Sequence, residues 1–170
     1  MKAAVLTVSD KGSRGQREDA GGPLLQQWLA EHGVEIACTQ IVPDEVEQIA
    51  AVLRQWADHE QLELILTTGG TGVSPRDVTP EATLQVLDRQ LPGFAEQMRA
   101  ESLKITPMAI LSRAVAGIRK QSLIINLPGS PRGAVENLSF VWAAVPHAVS
   151  KIRGDSADCD GIGRRCNLEK

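Results

Sequence analysis

Thr67-Thr68-Gly69-Gly70-Thr71-Gly72 places three glycines and three hydroxyls within six residues. Glycine has no Cβ, so backbone N–H groups in such a loop can close around an anion, and threonine hydroxyls can add donors to the same ligand. Phosphate chemistry suits this composition. The plain alternative is a tight turn, which an isolated Gly-Gly would favour; the hydroxyls and the following Arg76-Asp77 shift the balance toward anion binding. The segment is not a Walker P-loop, since no Gly-Lys-Ser/Thr follows, and nothing after the first apolar run spells Gly-x-Gly-x-x-Gly.

Asp77 stands just before a helix start, where capping or orienting the Thr79-Pro80-Glu81-Ala82 turn is an ordinary job for an aspartate. Beside a phosphate cradle its carboxylate is repulsive, so if both face one ligand a divalent cation must lie between them, magnesium being the natural one. Asp44 and Glu47 have the spacing of a capping box, and on pattern alone a cap is the stronger reading of Asp44. Pro128-Gly129-Ser130-Pro131 reads as a rigid strand-to-helix turn whose backbone and Ser130 could also present donors to a ligand. Glu18 and Asp19, ahead of Gly21-Gly22, are equally a second polar contribution or the start of a helix. His32, His59 and His147 fall far apart in helical stretches or at their ends and read as surface or packing residues, while Trp28, Trp56 and Trp142 recur at apolar helical positions and read as core packing.

The elements that must carry these residues alternate. Lys2 to Val8 is a continuous apolar run ending in Ser9-Asp10, suited to a strand buried on both faces, and a polar glycine-rich loop follows. Pro23 opens a helix that Gly33 stops; Val34 to Val42 is a strand; Asp44 opens a helix with Val46, Ile49, Leu53 and Trp56 on its apolar side. Leu62 to Thr68 is a strand running into the glycine loop, Thr79 reads as the N-cap of the next helix, and another helix begins near Pro92. Val115 to Ile118 and Ser122 to Leu127 make a hairpin, and Ser130-Pro131 caps a helix carrying Val135, Leu138, Val141, Trp142 and Val145, with Pro146 breaking it and starting the last. The expected fold is a three-layer α/β/α arrangement with a mostly parallel central sheet and a small β-hairpin. In such sheets ligands sit beyond the carboxyl ends of the strands, so the loops at Ser9-Asp10, Pro43-Asp44, Thr68 to Asp77 and Asn126 to Pro131 should converge on one crevice.

With 170 residues the chain fits one domain, expected over residues 1–154, followed by a polar tail over 155–170 that carries Cys159 and Cys166. A net charge of -3 argues against nucleic acid as a partner. The N-terminus is too short and polar for a signal peptide and no stretch is long enough to span a bilayer, so a cytoplasmic location is expected. The three cysteines, with Cys38 read as a strand residue, show no zinc-ligand spacing.

TVSD, Gly-Gly-Pro, IVPDE, LTTGGTG, PRDVTPEAT, PGFAEQMR, AILSR and NLPGSP occur in that order between Lys2 and about Gly154. This series resembles the MogA/MoaB family, which includes molybdopterin adenylyltransferases and the G-domains of gephyrin-like proteins. The resemblance implies a homotrimer and a reaction in which the terminal phosphate of molybdopterin attacks the α-phosphorus of ATP and releases pyrophosphate. It implies that Asp77 is the catalytic aspartate, with Asp44 as its partner, both as candidate magnesium ligands. Thr68, Gly69, Gly70, Thr71, Gly72 and Arg76 would then serve phosphate, and Ser9, Asp10, Pro128, Gly129 and Ser130 would edge the crevice. A molybdenum insertion protein is an implied further partner. The alternatives are a MoaB-type molybdopterin-binding or assembly protein with little or no transfer activity, and a nicotinamide or flavin oxidoreductase, against which the missing Gly-x-Gly-x-x-Gly counts.

Overall fold

The computed structural model describes residues 1–156; Cys159 and Cys166 lie outside the described residues. Six strands, β1 (Lys2–Val8), β2 (Glu35–Val42), β3 (Leu64–Thr68), β4 (Arg89–Gln90), β5 (Ala116–Arg119) and β6 (Ser122–Leu127), form one sheet in the order β2-β1-β3-β6-β5-β4. The β2-β1, β1-β3 and β3-β6 pairs are parallel, and β6-β5 and β5-β4 are antiparallel, β5 and β6 being the expected hairpin. Seven helices accompany the strands: α1 (Asp10–Ser13), α2 (Gly21–Glu31), α3 (Val46–Asp58), α4 (Thr79–Leu84), α5 (Pro92–Leu103), α6 (Pro131–Val141) and α7 (Val145–Ile152).

The central strands read as unbroken apolar runs because both faces are covered. Side chains alternate across a strand. Ala3, Val5, Leu64, Leu66, Leu123 and Ile125 therefore meet α2, α5, α6 and α7 through Leu25, Leu29, Met98, Leu138 and Val149. Ala4, Leu6, Ile65 and Ile124 meet α3 and α4 through Ile49, Leu53, Trp56 and Ala82. Among the tryptophans only Trp56 is buried; Trp28 and Trp142 border the first core in an edge contact with centroids 5.0 Å apart, and His32 stacks on Trp28.

Several local expectations are corrected. The polar loop after β1 begins with the helical turn α1, because Ser9 Oγ accepts from the Gly12 amide at 3.0 Å. Helix α2 starts at Gly21, ahead of Pro23, since Asp19 Oδ1 accepts from the Gly21 and Gly22 amides at 3.0 Å each. Ser130 does cap α6, but that helix ends at Val141. Pro146 has no N–H to give the Trp142 carbonyl, so residues Trp142–Ala144 tighten into a 3-10 turn before α7.

Register fixes where the loops emerge. Val8 lies beside Val42, Thr7 beside Thr68, and Thr68 beside Leu127, so β2, β1, β3 and β6 end level with one another. The segments after those four strands are thereby delivered to one edge of the sheet.

Candidate functional site

The glycine loop is held from below. Gly69 has φ +103 and Gly70 φ +63, and a Cβ on Gly69 would stand 2.3 Å from the Val8 carbonyl oxygen, so the loop passes over β1 at a distance only glycine permits. Thr68 Oγ1 donates to the Pro128 carbonyl at 2.8 Å and the Gly69 amide to the Leu127 carbonyl at 3.2 Å, tying the loop to the Pro128-Gly129-Ser130 turn. Gly129 approaches so closely that its Cβ would lie 3.2 Å from Gly69 Cα.

All four loop carbonyls are occupied by protein donors. Thr79 Oγ1 donates to Gly69 O at 2.8 Å and the Thr79 amide to Gly70 O at 3.0 Å. The Arg113 amide donates to Thr71 O at 2.9 Å and Arg113 Nε to Gly72 O at 2.6 Å. In a trans peptide the N–H points opposite to its C=O, and the described chain has no cis bond. Turning these carbonyls inward therefore turns the N–H groups of Gly70, Thr71, Gly72 and Val73 outward, which is the geometry of an anion cradle.

Thr79 is thus no cap, contrary to its sequence context; Val78 occupies that position and the threonine hydroxyl belongs to a buried network. Thr83 Oγ1 donates to Thr79 O, and Asn126 Nδ2 donates to both Thr83 Oγ1 and Thr67 Oγ1, each at 2.8–2.9 Å. Thr79→Val keeps the shape and removes the donor to Gly69 O. An orphaned carbonyl in this fully buried setting costs about 2 kcal/mol, and a melting temperature lower by roughly 4–8 °C is expected in a thermal melt. A melt unchanged from wild type would contradict the network's role.

Asp44 is not a helix cap either. Glu45 holds the cap position of α3 without a side-chain capping bond, while Asp44 Oδ2 accepts from the Asp10 amide at 2.8 Å and Asp10 Oδ1 from the Asp44 amide at 3.3 Å. This reciprocal pair locks the ends of β1 and β2 and leaves Asp44 Oδ1 near Gly70, 3.0 Å from where a Cβ would stand. Burial pushes the Asp44 carboxyl above the usual carboxylate range; the Asp10 and Asp77 charges add to this, and the Asp10 amide and Arg76 offset it only in part. Folded protein therefore binds this proton more readily than unfolded chain, so ionised Asp44 costs stability as pH rises past its unfolded value and costs nothing in acid. Asp44→Asn, which keeps an acceptor for the Asp10 amide, is expected to melt above wild type near pH 7 with no ligand and to lose that advantage at about pH 3. Equal differences at both pH values in paired melts would sink this account.

Arg76 and Asp10 stand together at the rim. Arg76 Nε and Nη2 donate to Asp10 at 3.0 and 2.9 Å, and Nη2 also to Glu45 Oε1 at 2.8 Å. The Arg76 guanidinium holds the Asp10 carboxyl below its ordinary value, and the two carboxylates keep Arg76 protonated. Asp77 lies one residue on, its Oδ2 accepting from the Ser74 amide at 2.8 Å and facing Gly72, where a Cβ would stand 2.9 Å away.

Two clefts open at this edge. One, about 560 Å³, is lined by Ser9, Asp44, Thr68, Gly69, Gly70, Asp77, Gly129 and Ser130, together with Thr7, Arg17, Glu18 and Asp19. The other, about 610 Å³ and richer in apolar groups, is lined by Gly70, Thr71, Gly72, Asp77, Pro128, Gly129 and Ser130, and extends past Arg99, Met108 and Arg132. Gly70, Asp77, Gly129 and Ser130 border both. The predicted site residues are therefore brought together, except that Asp10 and Arg76 line neither cleft. Glu18 and Asp19 serve both alternatives left open by sequence, since Asp19 holds the start of α2 and both face the first cleft.

A family model described as "Probable molybdopterin binding domain" matches residues 4–147. The chain belongs to this family. Relatives of this molybdopterin-binding-family chain include a molybdopterin adenylyltransferase of Haemophilus influenzae, 45% identical over 193 residues that cover 100% of this chain and 98% of the relative. The molybdopterin adenylyltransferase of Helicobacter pylori is 47% identical over 153 residues, 89% of this chain and 87% of the relative. The crystal structure of the molybdopterin biosynthesis enzyme MoaB from Thermus thermophilus superposes with a TM-score of 0.86 at 54% identity, covering 90% of this chain and 96% of that one.

Within the family domain, Thr7, Arg17, Thr79, Arg113 and Asn126 are site-building residues that sequence reasoning did not assign. Thr79 carried a cap-like signal that pointed elsewhere, and Arg113 stood in the AILSR motif with no role attached. Asn126, fully buried in an apolar strand, was the one visible hint, because a buried amide needs partners.

Proposed function

We propose that this chain is a magnesium-dependent molybdopterin adenylyltransferase acting in the cytoplasm, its working unit spanning residues 1–154. The observation that carries this is the pair of clefts meeting at Gly70, Asp77, Gly129 and Ser130, beside a loop whose N–H groups face outward. Each cleft holds one substrate, and the shared rim is where their phosphates meet.

A phosphate monoester is already an anionic nucleophile near neutral pH, so the obstacle is bringing two polyanions together. The molybdopterin phosphate oxygen forms a bond to the α-phosphorus of ATP, the bond from that phosphorus to its bridging oxygen breaks, and pyrophosphate leaves with the electron pair. The amides of Gly70 to Gly72 hold phosphate oxygens, Thr68 and Ser130 line the approach, and Arg76, paired with both Asp10 and Glu45, cancels one of their two charges and so lessens their repulsion of the entering polyphosphate. Asp44 and Asp77 suit magnesium: each faces the glycine loop, and the charge of Asp77 raises the proton affinity of Asp44, a repulsion that a cation relieves. Magnesium held by two carboxylates takes its remaining ligands from water and substrate phosphates. When bound, magnesium supplies charge neutralisation on the polyphosphate.

The test is to incubate the chain with molybdopterin, magnesium and labelled ATP. Adenylylated pterin and pyrophosphate, absent without magnesium, are the expected products. A second reading, a MoaB-type protein that binds molybdopterin with little or no transfer, draws on the 54% identity to the MoaB structure. It predicts saturable molybdopterin binding and no pyrophosphate.

The assembly that fits is a homotrimer, handing product to a molybdenum insertion protein. Support lies in an apolar surface over one short stretch, where Ile105, Met108, Ile110 and Leu111 are exposed by 59%, 63%, 69% and 45%; all but Ile110 also wall the second cleft, so a neighbouring subunit seated here would border a substrate. Replacing Met108 and Ile110 together by glutamate is expected to turn a species of about three times 18.3 kDa into monomer in sedimentation equilibrium. Unchanged mass in the double variant would place the contact elsewhere.

A further inference from the structure

Arg113 follows the exposed 3-10 turn Pro107–Leu111 and lines neither cleft. Yet it makes three hydrogen bonds to the segment from Thr71 to Asp77 that borders both clefts, and a fourth to α4. Its amide donates to the Thr71 carbonyl at 2.9 Å and its Nε to the Gly72 carbonyl at 2.6 Å. Nη2 donates to the Asp77 carbonyl and Nη1 to Glu81 Oε1. Burial would push the Glu81 carboxyl up, but the Arg113 hydrogen bond helps hold it below its ordinary value.

Asp77 by itself is poorly anchored. Its carboxylate accepts from the Ser74 amide at 2.8 Å and its own amide donates to the Ser74 carbonyl at 2.9 Å, so residues 74–77 form a small closed turn, tied on its outer side only through the Arg76 side chain to Asp10 and Glu45. Arg113 fastens that turn to the glycine loop at one end and to α4 at the other. By holding the Thr71 and Gly72 carbonyls it also fixes the outward direction of the Gly72 and Val73 N–H groups.

We propose that Arg113 is a positioning residue: its backbone amide sets the Gly72 amide, and its guanidinium fork aligns the Val73 amide and the Asp77 carboxylate toward the same phosphate-binding point. The role rests on the adenylyltransferase reading for its kinetic consequence, though not for its structural one. Arg113 belongs to neither apolar core, and its side chain is 38% exposed, so it fixes a loop rather than the fold. Lysine cannot replace it, because a single ammonium lacks the planar fork that reaches three separated acceptors.

The experiment compares wild type, Arg113→Ala and Arg113→Lys as full chains, with molybdopterin, magnesium and ATP. In Arg113→Ala kcat is expected to fall about 100-fold with the KM for ATP changed by less than about threefold, and millimolar guanidinium to restore part of kcat. Arg113→Lys should remain impaired. Amide hydrogen exchange on the same proteins without substrate should rise at least about tenfold at the hydrogen-bonded Ser74 and Asp77 amides, while the amides of β1, β3 and β6 keep their protection. Wild-type kcat in Arg113→Ala, full recovery in Arg113→Lys, or exchange rising equally in the strands would each overturn the proposal. If wild type transfers no adenylyl group, the functional reading fails, and exchange alone decides on Arg113: protection of the Ser74 and Asp77 amides unchanged in Arg113→Ala overturns it.

Discussion

Asp77→Asn is expected to slow adenylyl transfer about 1,000-fold at saturating substrates while leaving the loop in place. Asparagine retains an oxygen to accept the Ser74 amide that Asp77 Oδ2 accepts at 2.8 Å, so the turn over residues 74–77 keeps its closure. What disappears is the negative charge at the rim shared by both clefts, and with it half of the carboxylate pair suited to magnesium. Binding of molybdopterin draws on cleft walls that the substitution does not touch, so the loss should fall on kcat, with substrate affinity changed far less. Steady-state kinetics at several magnesium concentrations measure this, and they should also show a higher magnesium requirement. Transfer within about threefold of wild type would remove Asp77 from the chemistry.

The second large effect is a matter of backbone. Gly69→Ala introduces a Cβ at a φ of +103, outside even the left-handed region that other residues visit, and sets it 2.3 Å from the Val8 carbonyl oxygen. That neighbour is main chain in a central strand paired on both sides, so it cannot move aside. Strain and overpacking together should cost about 3–4 kcal/mol, lowering the melting temperature by roughly 6–15 °C, and the displaced amides should reduce transfer about 100-fold. Gly93→Ala is the control. Gly93 lies in the first turn of α5 with open space where its Cβ would be, so alanine there should be neutral or stabilising by up to about 1 kcal/mol. If thermal melts of the two variants agree, the close crossing of loop and strand is wrong.

Much of the architecture was legible in one dimension because it depends on periodicity. Unbroken apolar runs such as Lys2 to Val8 and Leu64 to Thr68 mark strands covered on both faces, and the intervening amphipathic stretches mark the helices that cover them. The hairpin of β5 and β6 followed from two short runs separated by polar residues. The four loops expected to converge do reach one edge of the sheet, because the registers of β2, β1, β3 and β6 are aligned, though they border two adjoining clefts where one crevice was expected. What misled was local capping chemistry: Asp44 and Thr79 both stand where a cap would, and neither caps. Each has a partner distant in sequence, Asp10 being 34 residues from Asp44, and the Gly69 carbonyl sits in a loop that only folding brings above α4.

By itself, the order of residues determined that this chain would build a mostly parallel α/β sheet and that a glycine-rich loop, two aspartates and the Pro128-Gly129-Ser130 turn would follow its strands. Those properties are set by neighbours along the chain, where side-chain periodicity and the missing Cβ act directly. Tertiary structure alone decided which way the loop faces, that Arg76 spends its charge on Asp10 and Glu45, and that Arg113 grips Asp77 from 36 residues away. Hydrogen bonds and charge act through space, so a donor's partner is fixed only once strand register and helix packing have set the distances.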